Sequence, residues 1–472
     1  MKALILSLLL ISALAAAIEK PAIEWVYAYY PSSGDTRFFD VIETSDGNLL
    51  VAGMRKFGTQ RRCLFKFDQD GYLLWDISLD CDIQIFYKSV ELSNGNTVSA
   101  GTVRTDPDST LAFAVLSVAP DGEVNWLRCI DIPESDEYAY DIAALPDGGF
   151  AVCGETEPLQ GQDAAWVIRF DAQGDTLWTR EWGPEDQNNK AVAILYLDEG
   201  LTIFMYGNSS VSPNRAALAR YDLDGNILWE RGYPDWPSSR SPDPSAMCEA
   251  SDDGLLLMTG YKPLVVHTDY EGNPDGFYQA PQGWAQDIGY SIDTTMDGGF
   301  IVGVDAGNEP GAVDGMCGVV SRHSVTGEME WWDYVYEESC FAIHCVRQLS
   351  EGGYIVAGKS IVYSPYAGFL MKYAPETGIS SHDPASTLSL EVSPNPCASV
   401  LSVGFALPEA GYASIQIFDL SGRLVSSVAE GDFPAGNCSV EWVAPEELSS
   451  GCYLVRLSAS NNTVTENFVL FH

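Results

Sequence analysis

Cations are what this chain has least of. Its 472 residues hold 25 Lys and Arg against 66 Asp and Glu, a formal net charge of −41. So acidic a chain repels phosphates and anionic lipid headgroups, which excludes nucleic acid and charged membranes as general partners. The same charge favours solubility outside a cell. After the N-terminus no apolar run approaches the ~18 residues of a membrane span. The five histidines, His267, His323, His344, His382 and His472, are scattered. There is no G-x-S-x-G, H-E-x-x-H, C-x-x-C or G-x-x-x-x-G-K-[ST], so no nucleophile elbow, zinc helix, dithiol or phosphate loop is declared. The eleven cysteines are odd in number and irregular in spacing, and no disulfide framework follows. Cys340 with Cys345, and Cys438 with Cys452, are near enough in sequence to bridge. Others, such as Cys153 in FAVCG, read as buried thiols.

What is present begins with an export signal. Lys2 precedes the apolar run Leu4 to Leu14, and Ala15, Ala16 and Ala17 are small residues suited to cleavage after Ala17. No Cys stands at that point to carry a lipid. The mature chain is expected to be exported, with no transmembrane segment.

The chain then repeats itself seven times. SDGNLLVAG, SNGNTVSAG, PDGGFAVCG, DEGLTIFMYG, DDGLLLMTG, MDGGFIVG and SEGGYIVAG share an acid or Asn, a Gly, and an apolar run ending in Gly. Their marker glycines, Gly47, Gly95, Gly148, Gly200, Gly254, Gly298 and Gly352, lie 44 to 54 residues apart. A second Gly turn follows in each unit. Trp stands four residues after it at Trp75, Trp126, Trp178, Trp229 and Trp331, with Gly276 in the fifth unit. Acid-Gly pairs suit hairpins because Gly accepts positive φ. Apolar residues alternate by two, so each unit reads as four strands, one blade of a β-propeller.

The last repeat stops at Gly378 without its Trp strand, and an orphan strand, Ile23 to Tyr29, precedes the first. Trp25 lies 15 residues before Asp40, as Trp126 does before Asp141. The orphan strand is expected to pair into blade seven and close the ring, removing exposed edges. The whole pattern, DGG-aromatic followed by K/R-x-D-x-x-G-x-x-x-W over residues ~20 to 378, resembles secreted bacterial seven-bladed propellers. These are similar to the tryptophan-docking repeats of PQQ-type quinoproteins.

From residue 379 the text changes. A Ser-rich linker, 379–387, leads to residues 388–472, where SPNP (393–396), FALPEAG (405–411), IFDLSGRLV (417–425) and GCYLVRL (451–457) stand in order. This resembles the C-terminal sorting domain of type IX (Por) secretion substrates and the FlgD-like immunoglobulin-like domain. Both imply a small β-sandwich, and the sorting resemblance implies secretion machinery as a partner. Phe405, Ile417, Phe418, Trp442 and Val455 are its expected core.

The expected architecture is all-β: a signal peptide at 1–17, a seven-bladed propeller at 18–378, a linker, and an immunoglobulin-like β-sandwich. Chemistry is sparser. Cys340, His344 and Cys345 are too few for a structural zinc site. Asp68-x-Asp70-Gly71 and Asp222-x-Asp224-Gly225 echo half a calcium loop but read as turns. The Trp column is expected to fill the gap between blades, leaving Trp182, Trp236 and Trp284 as candidates to stack a ligand. Lys66, Arg169, Arg220, His267, Arg322 and Lys372 recur before the second turn, with Ser117 the exception. They are expected to form between-blade ion pairs rather than an anion site. No catalytic, cofactor or metal residue is assigned, and no cofactor is called for. The reading is a secreted or cell-surface binding or scaffold protein, not an enzyme, whose ligand is a protein or carbohydrate. The alternative is a secreted propeller enzyme acting on polysaccharide, a lyase or glycosidase.

Overall fold

The computed structural model describes residues 20–29, 35–57, 60–81, 83–104, 109–159, 161–182, 188–207, 215–233, 244–260, 263–279, 288–307, 316–337, 339–360, 366–376, 389–393, 400–407, 411–419, 423–433, 436–445, 448, 451–459 and 462–470. The expected signal peptide and linker lie outside them. The chain divides between Thr377 and Gly378 into two compact units. Among the described residues the secondary structure is β-strand throughout.

In the first unit each repeat becomes four antiparallel strands, a blade; five blades are separate sheets, and the sixth and seventh are joined by a short pairing of Tyr336–Glu337 with Ser339–Cys340 into one eight-stranded order. The first strands are Thr36–Glu43, Ile83–Glu91, Ser135–Ala144, Lys190–Leu197, Pro244–Ala250, Ile288–Thr294 and Ser339–Gln348. Each packs against the first strand of the next blade, and the seventh packs against the first, so they surround a central channel. Blade seven takes its fourth strand from the N-terminus. Ile23–Tyr29 runs antiparallel to Gly368–Tyr373, pairing Trp25 with Lys372 and Tyr29 with Gly368.

Both hairpin turns of a blade close on glycine. Gly47, Gly95, Gly148, Gly298 and Gly352 hold φ between +75° and +92°. Blades four and five differ from the sequence expectation. There Glu199 and Asp253 take the positive φ, and the marker glycines Gly200 and Gly254 begin the second strand. At Gly200 a Cβ would lie 2.8 Å from the Tyr221 carbonyl oxygen and press on the Arg220 guanidinium.

The core is seven slabs, one between each pair of neighbouring blades, rather than one centre. The Trp column holds these slabs at their rim. Trp25 lays its ring on Gly71, 3.2–3.3 Å from where a Cβ would sit, and its Nε1 donates to the Gln69 carbonyl at 3.0 Å. Trp75 does the same to Gly122 and Pro120 (3.2 Å), and Trp178 to Gly225 and Leu223 (2.9 Å). Each indole thus caps a turn of the next blade. Blade five, which has Gly276 in this column, uses Tyr278 against Gly327 instead.

The second unit is a two-sheet β-sandwich. Ser389–Ser393, Val400–Leu407 and Gly436–Val443 form one sheet; Leu424–Phe433, Gly411–Asp419, Gly451–Ala459 and Asn462–Leu470 form the other. Phe405, Ile417, Trp442 and Val455 meet inside with Phe468. Phe418 does not join them. Alternation along the strand turns it to the other face, where the Arg456 guanidinium lies 4.5 Å above its ring.

Because Trp25 joins blade seven to blade one, Trp25→Ala should lower the unfolding free energy by ~2–3 kcal/mol, the low end for a half-buried Trp. Blade seven should also become protease-sensitive. Denaturant titration and limited proteolysis would check this; an unchanged midpoint would contradict the docking role.

Candidate functional site

The basic column is paired throughout. Lys66 meets Asp46 at 3.1 Å, Arg220 meets Asp198 at 3.7 Å, and Lys372 meets Glu351 at 2.7 Å and Glu24 at 3.1 Å. Arg169 pairs with Asp147, and Arg322 with Asp297 and Glu330. His267 is held by Asp252 (2.9 Å) and Asp275. Burial works against its charge, but the two carboxylates prevail and raise its pKa. The expected between-blade pairing is corrected here: these acids belong to the same blade as the cation, most of them to its first turn. Arg322 also reaches Glu376, beyond the third strand of blade seven, at 3.2 Å. Blade two shows why the pair is kept as a unit. Asn94 replaces the turn acid, and Ser117 replaces the cation. A buried charge without its partner costs several kcal/mol, about 3–5.

A feature the sequence reading missed lines the channel. Every first strand carries a β-bulge at one register, and the extra residues are Phe39, Tyr87, Tyr140, Val192, Ser245, Tyr290 and His344. At five of them the Gly that ends the repeat's apolar run pairs with a residue flanking the bulge: Gly53, Gly101, Gly154 and Gly358 with the residue before it, and Gly303 with Ser291 after it. In four of these a Cβ would collide with a carbonyl of the bulged strand; at Gly303 it would press on Ile343. These five bulges carry a ring. The residues before and after Val192 pair with Met205 and Phe204, those around Ser245 with Thr259 and Met258, and the bulge side chain is small. The rings touch in sequence: Tyr290 with His344 (5.5 Å), His344 with Phe39 (5.1 Å), Phe39 with Tyr87 (5.3 Å) and Tyr87 with Tyr140 (5.9 Å). They form an aromatic collar interrupted at blades four and five.

Val192 and Ser245 line a cavity of about 700 Å³, together with Lys88, Asp141, Asp293 and Arg347. Behind the two cations lies Asp40, fully buried. It accepts from Ser89 N (3.0 Å), Lys88 Nζ (3.2 Å) and Arg347 (3.3 Å). Burial alone would raise its pKa, but Lys88 and Arg347 outweigh that and hold it at about 2. Asp141 receives the Ile194 amide at 2.9 Å, and burial still lifts it to about 6. Asp293 is raised by burial too, although Arg347 stands 4.0 Å away. The cavity therefore presents two anchored cations beside two carboxylates that resist ionisation.

The other sequence candidates do not gather. His344 bonds the Phe38 carbonyl (2.8 Å), whereas the Cys345 thiol is free and contacts Asp40 (3.2 Å), so the Cys340–Cys345 bridge is not formed. The side chains of Cys340, Cys438 and Cys452 lie outside the described residues. Asp68 and Asp222 accept amides of their own turns, at 2.8 Å from Tyr72 and Asn226. Trp182 is buried between blades three and four and offers no ring to a ligand; Trp236 and Trp284 are outside the described residues. Glu155, Glu157 and Asp163 bring three carboxylates together, with Lys190 2.8 Å from Glu155.

No curated protein matches this chain. Residues 391–470 match the secretion system C-terminal sorting domain. The chain is an exported propeller with a secretion-sorting tail. The tail indicates export by the type IX route, to the cell surface or the medium. Among solved structures, this sorted propeller is similar to a catalytically inactive virginiamycin B lyase from Staphylococcus aureus with quinupristin. Identity is 13%, TM-score 0.47, and the match covers 73% of this chain and 98% of that one. It is similar also to a protein of unknown function from Dyadobacter fermentans, at 12% identity and TM-score 0.42, covering 75% and 99%.

Asp305, on the second strand of blade six, gives a pH test of the ring. It is buried, accepts the Ile343 amide at 2.8 Å, and burial lifts its pKa from 3.8 to about 7. Between pH 4 and 7 the unfolded chain ionises this group first, so its contribution to stability falls as pH rises. Asp305→Asn should be more stable than the parent at pH 7.5 and lose that advantage at pH 4.5. Denaturant midpoints at the two pH values would show it; a pH-independent difference would contradict it.

Proposed function

We propose that the propeller is a binding or scaffold protein whose channel cavity holds a small polar ligand bearing both acidic and basic or hydroxyl groups. The observation that supports this is the cavity's paired lining: Lys88 and Arg347, anchored on Asp40, beside Asp141 and Asp293. Fixed charges of both signs, oriented by a buried network, discriminate ligands by the position of charge. Thermal unfolding with a panel of amino acids, dipeptides and neutral and acidic mono- and disaccharides tests it. One class should raise the midpoint, since a ligand at 100 times its Kd adds about 2.7 kcal/mol. Asp293→Asn should abolish the shift. No shift with any member, or a shift indifferent to Asp293, would reject the site.

A polysaccharide-cleaving reading has one observation in its favour. Asp141 is kept partly protonated near pH 6 while Asp40 stays ionised, the division of labour that acid–base chemistry requires. Reducing ends or unsaturated sugars released by the parent but not by Asp141→Asn would select it over binding.

Residues 1–17 carry the chain across the inner membrane in this reading, and residues 388–472 carry it onward. A form lacking 388–472, expressed in the native host, should accumulate in the periplasm. Its normal arrival at the surface would refute the sorting role.

A further inference from the structure

The two ends of the ring differ. The tight glycine turns join first to second and third to fourth strands at one end. At the other end the longer connections join second to third strands and each blade to the next, and variable loops of this kind commonly carry binding sites. On that loop end, between blades one and two, lies a cleft of about 470 Å³ lined by Arg55, Lys56, Arg61, Arg104 and Asp35. Four of the chain's 25 cations, Arg55, Lys56, Arg61 and Arg62, fall within eight residues that contain no acid. In a chain of net charge −41 that is a local reversal of sign.

The cleft is organised. Arg55 lies 4.7 Å over the Tyr29 ring, donates to its hydroxyl at 3.1 Å and stands 3.8 Å from Asp76. Asp76 is shared with Arg62 at 2.8 Å. Asp35, the acid in the lining, faces Arg37 at 3.6 Å. The Nε atom of Arg55 is buried without a hydrogen-bond partner. A buried guanidinium donor left unmet is a standing cost that an acceptor would remove. Lys56 is exposed at the edge.

We propose that this cleft binds a small organic anion, a carboxylate, sulfate or phosphate carried on about one sugar unit. Guanidinium forks match these planar or tetrahedral oxyanions with paired hydrogen bonds. A cavity of this size falls in the small-molecule range. A long polyanion is disfavoured by the rest of the molecule. Away from the cleft the remaining charges of such a chain lie within a Debye length, about 8 Å, of an acidic surface that repels them.

Titration calorimetry at low and physiological salt, with inorganic phosphate, inorganic sulfate, galacturonic acid and polygalacturonate as probes, decides it. The parent should bind at least one small probe, more weakly as salt rises. Lys56→Gln/Arg104→Gln should bind it at least tenfold more weakly. Lys56→Gln alone, at an exposed position, should weaken it about threefold and serves if the double variant misfolds. Asp293→Asn, in the channel, should leave it intact, which separates this site from the other. Absence of binding to every small probe at millimolar concentration, equal binding by the variants, or binding of polygalacturonate alone would overturn the proposal.

Discussion

A flat indole resting on a turn that has no side chain is the contact on which the ring depends. Each blade's fourth strand is an edge, and an edge left open pairs with anything. By laying Trp25, Trp75 or Trp178 on the next blade's glycine turn and donating Nε1 to a turn carbonyl, the edge becomes part of an interface. The apolar slab behind it then follows. Gly is required at the turn twice over, for its positive φ and for the ring that lies against it.

The repeats, the turns and the tryptophans were legible because each leaves a residue-type mark at fixed spacing. Ile23–Tyr29 could be placed beside Gly368–Tyr373 from the distance between Trp25 and Asp40 alone. The collar was not legible, because a bulge shifts register by one residue and changes no composition. Its signal lay in a correlation: an aromatic or His bulge with Gly paired to one of its two neighbours, a small bulge with no Gly at either place, where Met205 and Phe204 or Thr259 and Met258 stand instead. The cavity follows from two small residues, Val192 and Ser245, whose nearness only the closed ring supplies. The acid partner of Lys66 was ambiguous for a similar reason. Acids stand in nearly every turn, and sequence spacing does not tell a neighbour within the sheet from one across the gap. Trp182 looked like loop text because it stands at the far end of its strand, four residues beyond the column position of Trp178.

Charge in this protein is placed rather than spread. Six cations are committed to turn acids, two to Asp40, and a further group to the cleft between blades one and two. Desolvation makes each buried charge expensive unless paired, so the residues come and go together, as Asn94 and Ser117 show.

Closure by the N-terminal strand has a temporal consequence. Trp25 is among the first residues of the described chain to be made, and its partner Lys372 is among the last of the propeller. The N-terminal strand therefore has no partner until some 350 residues have been synthesised, and no partial chain can complete the circle. Blades one to six are each built from consecutive strands, so the join between the first strand made and the last is the one step that the order of synthesis leaves to the end.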